Sequence, residues 1–183
     1  LGSGYKGLAA VVEQIGRALA ATPLLSTVVL GGGLLSEAGS EAQRDHWLPK
    51  IAAGEALLAL ALEEEPRHDP TRVALRAWRE SDHWWLDGDK QFVLDGHVAH
   101  RLIVVARSSG VPGQPTGLSM FLVDPAAPGV QVERRWMVDS RNAASVRLSR
   151  VRVDEDALVG APDQAFAVLD RVLDRARMCV AAE

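Results

Sequence analysis

The sequence predicts an α+β fold in which helices come first, a mainly antiparallel β-domain follows, and a further helix ends the chain. Apolar residues recur at helical spacing up to about residue 55, form short runs between turn signals over 56–160, and return to helical spacing over 161–183. The short runs leave no room for crossover helices, so neighbouring strands should be mainly antiparallel.

The N-terminal part carries three helical signals. Apolar residues at helical spacing predict a first amphipathic helix: Leu8, Val11, Val12, Ile15 and Leu19. Residues 24–30 are apolar nearly all round and predict a buried helix, followed by glycines 31–33. Each glycine costs about 1 kcal/mol in a helix interior, so we expect another backbone to approach closely there.

A third helix should begin at a capping box formed by Ser40 and Gln43. Pro49 is expected to end that helix and to open another in its first turn. Gly54 is expected to stop the last helix before the β-domain.

The β-domain is predicted from apolar runs and from two turn dipeptides. Asp87-Gly88 and Asp95-Gly96 are typical of hairpin turns. Strands are expected at residues 73–77, 92–94, 102–106, 118–123 and 146–153. The segment 108–116 contains two prolines and two glycines and is expected to be an exposed loop.

The last segment has an apolar face at helical spacing: Phe166, Leu169, Leu173, Ala176 and Val180. We expect it to be the start of a longer helical unit, so that in this chain alone its apolar face is exposed and favours poor solubility or partner binding. Cys179 lies in this helix and is expected to be a small core residue.

Composition and motifs exclude several classes of function. The net charge of −4 gives no electrostatic support for nucleic-acid binding. No apolar run reaches the length of a membrane span, and the first residues do not resemble a signal peptide. One cysteine permits no internal disulfide, which favours a cytoplasmic location. No metal site is expected, because His97 and His100 have no cysteine or acidic partner in phase.

Six segments then point to a family: SEAQR at 40–44 with WLPKIAAGE at 47–55, LAL at 60–62 with EP at 65–66, LDGDKQFVLDG at 86–96, FLV at 121–123 with PGV at 128–130, VRV at 151–153 with LVG at 158–160, and LDRAR at 173–177. In this order they resemble the acyl-CoA dehydrogenase family.

The resemblance implies three parts: the end of an all-α N-terminal domain over 1–55, an antiparallel, barrel-like middle β-domain over 56–160, and the first helix of a truncated C-terminal helical bundle over 161–183. It implies FAD as cofactor and the α,β-dehydrogenation of an acyl-CoA thioester. An electron-transfer flavoprotein would be the usual electron acceptor.

The resemblance places the flavin-binding residues at Leu62, Glu64, Phe92, Val93 and Leu94. Glu64 replaces the threonine of the family's first signature, unless the gap is placed so that Glu63 does. Leu94 replaces the second threonine, so both hydroxyl donors are lost. The cluster of Glu63, Glu64 and Glu65 is equally compatible with solvation of a strand end.

No catalytic residue is expected in the chain. Some family members carry the glutamate base immediately before the arginine that corresponds to Arg177, and Ala176 stands there. Glu183 is out of helical phase with that place and is expected to face solvent. The pattern resembles the base-lacking subunit of heteromeric bacterial members, which works with a second dehydrogenase subunit. The alternatives are a scaffold that kept the fold but lost the flavin, and a truncated product without function.

Overall fold

The computed structural model of the protein describes residues 4–139 and 141–183. The helices are α1 (Gly4–Ala18), a π-helix (Leu24–Gly32), α2 (Gly33–Ala38), α3 (Glu41–Ala52), a short 3-10 helix (Glu155–Ala157) and α4 (Phe166–Ala182). The strands are β1 (Leu58–Ala61), β2 (Arg76–Glu80), β3 (His83–Leu94), β4 (Arg101–Arg107), β5 (Leu118–Val123), β6 (Val130–Trp136), β7 (Asn142–Asp154) and β8 (Leu158–Val159). The predicted order of helices, β-domain and final helix is confirmed.

The strands form one sheet in the order β6-β7-β3-β2-β4-β5-β8, and β1 pairs with β4 beside this path. Both β1 and β2 pair with β4 in parallel, while the other pairings between described strands are antiparallel. The sheet is therefore mixed, although mainly antiparallel as expected. The parallel pairings arise because β4 does not pair with β3, which precedes it in the chain, but lies beside β1 and β2.

Two apolar cores lie on opposite faces of the central strands. Along β1, Leu58 and Leu60 face a core shared with the helices, while Ala59 and Ala61 face a core inside the sheet. This alternation follows from the period of two in a strand. The second core collects side chains from β1, β2, β3, β4, β5 and β7, so the sheet curls around it in a barrel-like way.

The expected close approach at the glycines is present, and it involves a π-helix rather than an α-helix. A methyl group on Gly31 would lie 2.7 Å from Cβ of Leu58. The neighbouring Thr27 is buried, and its hydroxyl both accepts from the Leu58 N–H and donates to the Leu58 carbonyl at 3.1 Å. The π-helix therefore packs against the start of β1 through the side that carries Thr27 and Gly31.

The capping box of Ser40 and Gln43 is confirmed, but the prediction for Pro49 is wrong. Pro49 lies inside α3, which continues to Ala52. A proline this close to the helix end costs one backbone hydrogen bond, and the last turn closes around it. The predicted stop at Gly54 is confirmed by its positive φ of 75°.

Neither Asp-Gly dipeptide forms a hairpin, although the turn predicted at Asp95-Gly96 is present. Asp87-Gly88 lies inside β3, where the register against β7 shifts at a bulge and Gly88 has a φ of 141°. Asp95-Gly96 is a turn, but it leads to β4, which does not pair with β3. The strand expected at 73–77 begins only at Arg76, and β6 was not predicted. The segment 108–116 is largely exposed, as expected.

The apolar face of α4 is buried, contrary to the expectation that it is exposed. Leu169, Leu173 and Ala176 pack in the core shared with the helices, because α1, the π-helix and α2 cover them. Only Val180 on that face is half exposed, at 51%. Cys179 is buried, as predicted.

Candidate functional site

A cavity of about 700 Å³ opens where α1, the π-helix, the end of β3 and the last turns of α4 meet. Its walls are mostly apolar: Val12, Ile15, Leu24, Leu25, Val29, Leu57, Leu94, Val98, Cys179 and Val180. This size and lining are typical of sites for small organic ligands. The π-helix and α4 lie on the same face of the sheet, and the cavity lies between them and the end of β3.

Polar groups lie at one side of the cavity. The Ser26 hydroxyl, in the first turn of the π-helix, donates a 2.6 Å hydrogen bond to Oδ2 of Asp95. Ser26 is only 1% exposed, so this bond ties the π-helix to the turn after β3. Asp95 has a φ of 56°, a conformation that Asp and Asn tolerate better than most residues.

An ion-pair group completes this side. The Arg141 guanidinium donates to Oε2 of Glu183 at 2.7 Å and lies 3.5 Å from the Asp139 carboxylate. The bond from Glu183 raises the pKa of Arg141 above its usual value. Glu183 was expected to face solvent, but it pairs with Arg141 and lines the cavity.

The end of β3 brings together three of the residues expected to bind the flavin. A register shift against β7 between Lys90 and Val93 makes a bulge, and Phe92 in it has a φ of 52°. The bulge leaves Phe92 42% exposed, whereas Val93 is buried in the sheet. Leu94 lines the cavity. A bulge re-aims side chains, and a positive φ in a bulky residue is strained.

The other two predicted residues, Leu62 and Glu64, surround a buried lysine. The Lys90 ammonium is fully buried and donates to the Leu62 carbonyl at 2.9 Å and to Oε1 of Glu64 at 2.7 Å. The Glu64 carboxylate also accepts from the backbone N–H groups of Ala74 and Leu75. Glu64 therefore closes a network of protein groups and does not solvate a strand end.

Burial lowers the pKa of Lys90 from 10.5 to about 8, and the nearby Glu64 charge opposes that shift. The lysine nevertheless keeps an acceptor on each side, which is the arrangement that a buried charge requires. Two backbone segments, at 62–64 and 74–75, are thereby fixed against β3.

A second polar chain joins this region to α4. His68 Nδ1 lies 2.5 Å from the Glu63 carboxylate, and its Nε2 lies 3.1 Å from a guanidinium nitrogen of Arg177. Arg177 also pairs with Asp174 on its own helix. These side chains stand where the resemblance expects the first signature and the start of the bundle. Ala176 is buried beside them and offers no proton acceptor.

Sequence reasoning missed Lys90, Asp95 and Arg141. A signal existed for two of them in the segment LDGDKQFVLDG at 86–96, which resembles the family's stretch Gly-x-Lys-x-Phe/Trp-Ile-Thr-Asn-Gly. Lys90 is the lysine of that stretch, and Asp95 stands where it has asparagine. Arg141 lies in the segment 138–141, which resembles the base-lacking branch of the family but does not by itself predict a contact with the cavity. Across residues 4–139 and 141–183, no cluster of side chains has the composition of a metal site. Within the same ranges, no helix is both long and apolar enough to cross a membrane.

The fold and these signatures are those of the acyl-CoA dehydrogenase family. Residues 59–154 match the family described as "Acyl-CoA dehydrogenase, middle domain", and residues 1–55 match "Acyl-CoA dehydrogenase, N-terminal domain". The chain belongs to the acyl-CoA dehydrogenase family.

Relatives agree with this assignment. The chain is 31% identical to the acyl-CoA dehydrogenase FadE12 of Mycobacterium tuberculosis, over 99% of this chain and 48% of that protein. It is 26% identical to a probable acyl-CoA dehydrogenase from Mycobacterium abscessus of known structure, with a TM-score of 0.84 over 95% of this chain and 48% of that one. The chain spans about half the length of the curated relatives it matches.

The same fold occurs in the ChsE4–ChsE5 complex from Mycobacterium tuberculosis. The TM-score is 0.80 at 20% identity, over 91% of this chain and 43% of that one. At this identity the likeness concerns the fold alone.

Proposed function

We propose that the protein is an FAD-binding subunit of an acyl-CoA dehydrogenase that forms the α,β double bond of an acyl-CoA thioester. The observation that carries the proposal is the position of the cavity. It adjoins Leu94 at the end of β3, the segment in which the family's flavin signature is recognised. An acyl group in this cavity would therefore lie next to the residues expected to contact the flavin.

The residues at the end of β3 can pack against the aromatic ring system of a flavin, but they offer no hydroxyl donor to its polar edge. Phe92 is held half exposed by the bulge and provides an apolar surface for stacking, and Leu94 extends that surface into the cavity. Glu64 and Leu94 supply no hydroxyl donor. In this proposal Phe92 and Leu94 contact the cofactor through their side chains, and Leu62, Glu64 and Val93 position the backbone around it.

The cavity walls would bind and orient the acyl chain and exclude water from the carbon atoms next to the thioester. FAD, when bound, supplies the hydride acceptor. The reaction also needs a base for the proton next to the carbonyl. Ala176 cannot accept a proton, so we assign no catalytic base to the described residues.

We infer that a second dehydrogenase subunit contributes to the complete site, and that the bundle begun by α4 continues beyond residue 183. The support for a partner is Ala176 in the place where some family members carry the base. Assembly of two different subunits is named for the ChsE4–ChsE5 complex, which has this fold. An electron-transfer flavoprotein would then reoxidise the flavin.

A second candidate is a scaffold that has lost the flavin. It is favoured by one observation: both oxygens of Glu64 accept hydrogen bonds from protein groups, namely Lys90 and the backbone N–H groups at 74 and 75. A hydroxyl donor is thus replaced by an internal structural contact.

The flavin content of the purified full-length protein separates the two candidates. The enzyme-subunit proposal predicts near-stoichiometric FAD, read from the absorbance near 450 nm, and weaker retention in Phe92→Ala. An exposed aromatic outside the cavity, Trp136, provides the control, since Trp136→Ala should keep the wild-type flavin content. Protein that stays colourless when purified or refolded with FAD, both alone and with the second dehydrogenase subunit, would contradict flavin binding and support the scaffold.

A further inference from the structure

The wall of the cavity carries one carboxylate that no cation neutralises directly. Asp95 lines the cavity, and among the described residues it has no ion-pair partner within 4.0 Å. Its closest partner is the neutral hydroxyl of Ser26 at 2.6 Å. The same hydroxyl also lies 3.1 Å from the Pro23 carbonyl, and the shorter contact to Asp95 makes that carboxylate an acceptor beside an apolar space.

The Arg141 guanidinium attracts Asp95, which contributes to the raised pKa of Arg141, but one guanidinium does not balance all the carboxylates on this side. Arg141 is bonded to Glu183 and paired with Asp139, and both of these carboxylates also line the cavity. The carboxylates on this side therefore outnumber the single guanidinium. An anionic group that entered the cavity would meet net repulsion and would lose its hydration among Leu24, Leu25 and Val29.

The negative charge of Asp95 is a departure from the family's pattern at this position. Asp95 follows Leu94 directly, and it stands where the family's pattern has a neutral asparagine. Asparagine would preserve the acceptor for Ser26 and tolerate the same positive φ. The hydrogen bond and the backbone conformation therefore do not explain the carboxylate.

We propose that Asp95 is a specificity-determining residue that restricts the cavity to uncharged acyl groups and rejects those ending in a carboxylate. This inference rests on the proposed function, because it assumes that an acyl-CoA thioester occupies the cavity. Specificity of this kind comes from an unfavourable contact with the wrong ligand. The thioester end is the same for both ligand classes, so any difference in binding comes from the terminal carboxylate of the acyl chain.

The test compares hexanoyl-CoA with adipyl-CoA, which have the same number of carbons and differ in a terminal carboxylate. Dissociation constants are measured anaerobically by calorimetry on the full-length holoprotein, with its second subunit where one co-purifies. Wild type should bind hexanoyl-CoA at least tenfold more tightly, and Asp95→Asn should reduce that preference about tenfold by improving adipyl-CoA binding alone. The same chemical change at the exposed Asp82→Asn should leave the preference at its wild-type value.

The outcomes separate this inference from the proposed function. If both thioesters bind and the preference is unchanged in Asp95→Asn, the role of Asp95 is wrong while acyl-CoA binding stands. If neither thioester binds wild type, the proposed function fails, and the role of Asp95 fails with it. A thermal unfolding curve of Asp95→Asn that overlays that of wild type ensures that a changed preference reports on the ligand.

Discussion

The ammonium of Lys90 donates a 2.7 Å hydrogen bond to Oε1 of Glu64 in a place where the lysine is fully buried. The two residues are 26 positions apart, and they connect β3 to the segment that follows β1. Because that segment and the end of β3 contain all the residues expected to contact the flavin, this pair determines the geometry of the region.

Removal of Glu64 should destabilise the protein strongly. Glu64→Ala leaves the buried Lys90 charge and the N–H groups at 74 and 75 without their acceptor. Breaking a buried pair from one side costs about 3–5 kcal/mol. Urea unfolding should show that loss for Glu64→Ala and a smaller one for Glu64→Gln, which keeps an acceptor oxygen. A loss below about 1 kcal/mol in Glu64→Ala would contradict the role given to the pair.

Lys90 should make the stability of the protein rise with pH in the alkaline range. Its pKa is about 8 in the folded protein and 10.5 in the unfolded chain, so the unfolded chain binds more protons between these values. The free energy of unfolding should therefore gain about 3 kcal/mol from this group between pH 8 and 10.5. Below pH 8 both states are protonated and the contribution is constant.

The measurement is the free energy of unfolding against pH, for wild type and for Lys90→Met. Other lysines and arginines titrate alike in both proteins, so the difference between the two curves isolates Lys90. As pH rises above 8, the free energy of unfolding of wild type should increase relative to that of Lys90→Met. A difference that stays flat from pH 7 to 10.5 would show that the folded protein does not lower the pKa of Lys90.

The bulge at Phe92 should contain measurable backbone strain. A residue with a β-carbon at a φ of 52° is disfavoured by about 1–2 kcal/mol relative to glycine. Phe92→Gly should therefore be more stable than Phe92→Ala by about 1 kcal/mol, although both lose the ring. At Arg152, an exposed residue within β7, the glycine variant should be the less stable of the two. The same order at both positions would contradict strain at Phe92.

The contact between the π-helix and β1 should tolerate no side chain at Gly31. The added methyl group of Gly31→Ala would lie 2.7 Å from Cβ of Leu58, and such overpacking costs about 1–3 kcal/mol. At the next residue, Gly32→Ala places the methyl group no closer than 3.4 Å to its neighbours and should be neutral or slightly stabilising. Equal melting temperatures for the two variants would contradict the close approach.

The sequence predicts the elements whose signals are local. The capping box at Ser40 and Gln43 and the stop at Gly54 involve only neighbouring residues, so their chemistry is readable directly. Strand β6 was missed because only Val130 and Val132 are half buried, and the charged residues that follow hide the alternation of an edge strand. The bulge at Gly88 was mistaken for a turn, since Asp-Gly favours both.

The candidate site was predictable only in part. The end of β3 was found through the resemblance, and Phe92 and Leu94 lie where a ligand could contact them. The network of Lys90 depends on contacts between distant segments, which no local pattern encodes. Asp95 was interpreted only as a turn residue, and its contact with Ser26 appears only once the π-helix is docked against the sheet.

The central claim is tested most directly by flavin reduction in the full-length protein. Under anaerobic conditions the absorbance near 450 nm is followed while an acyl-CoA is added, with and without the second dehydrogenase subunit. Bleaching only in the presence of the second subunit is the result we predict for a subunit with alanine at position 176. Bleaching by the isolated protein at the same rate would show that it carries its own base and would contradict the account.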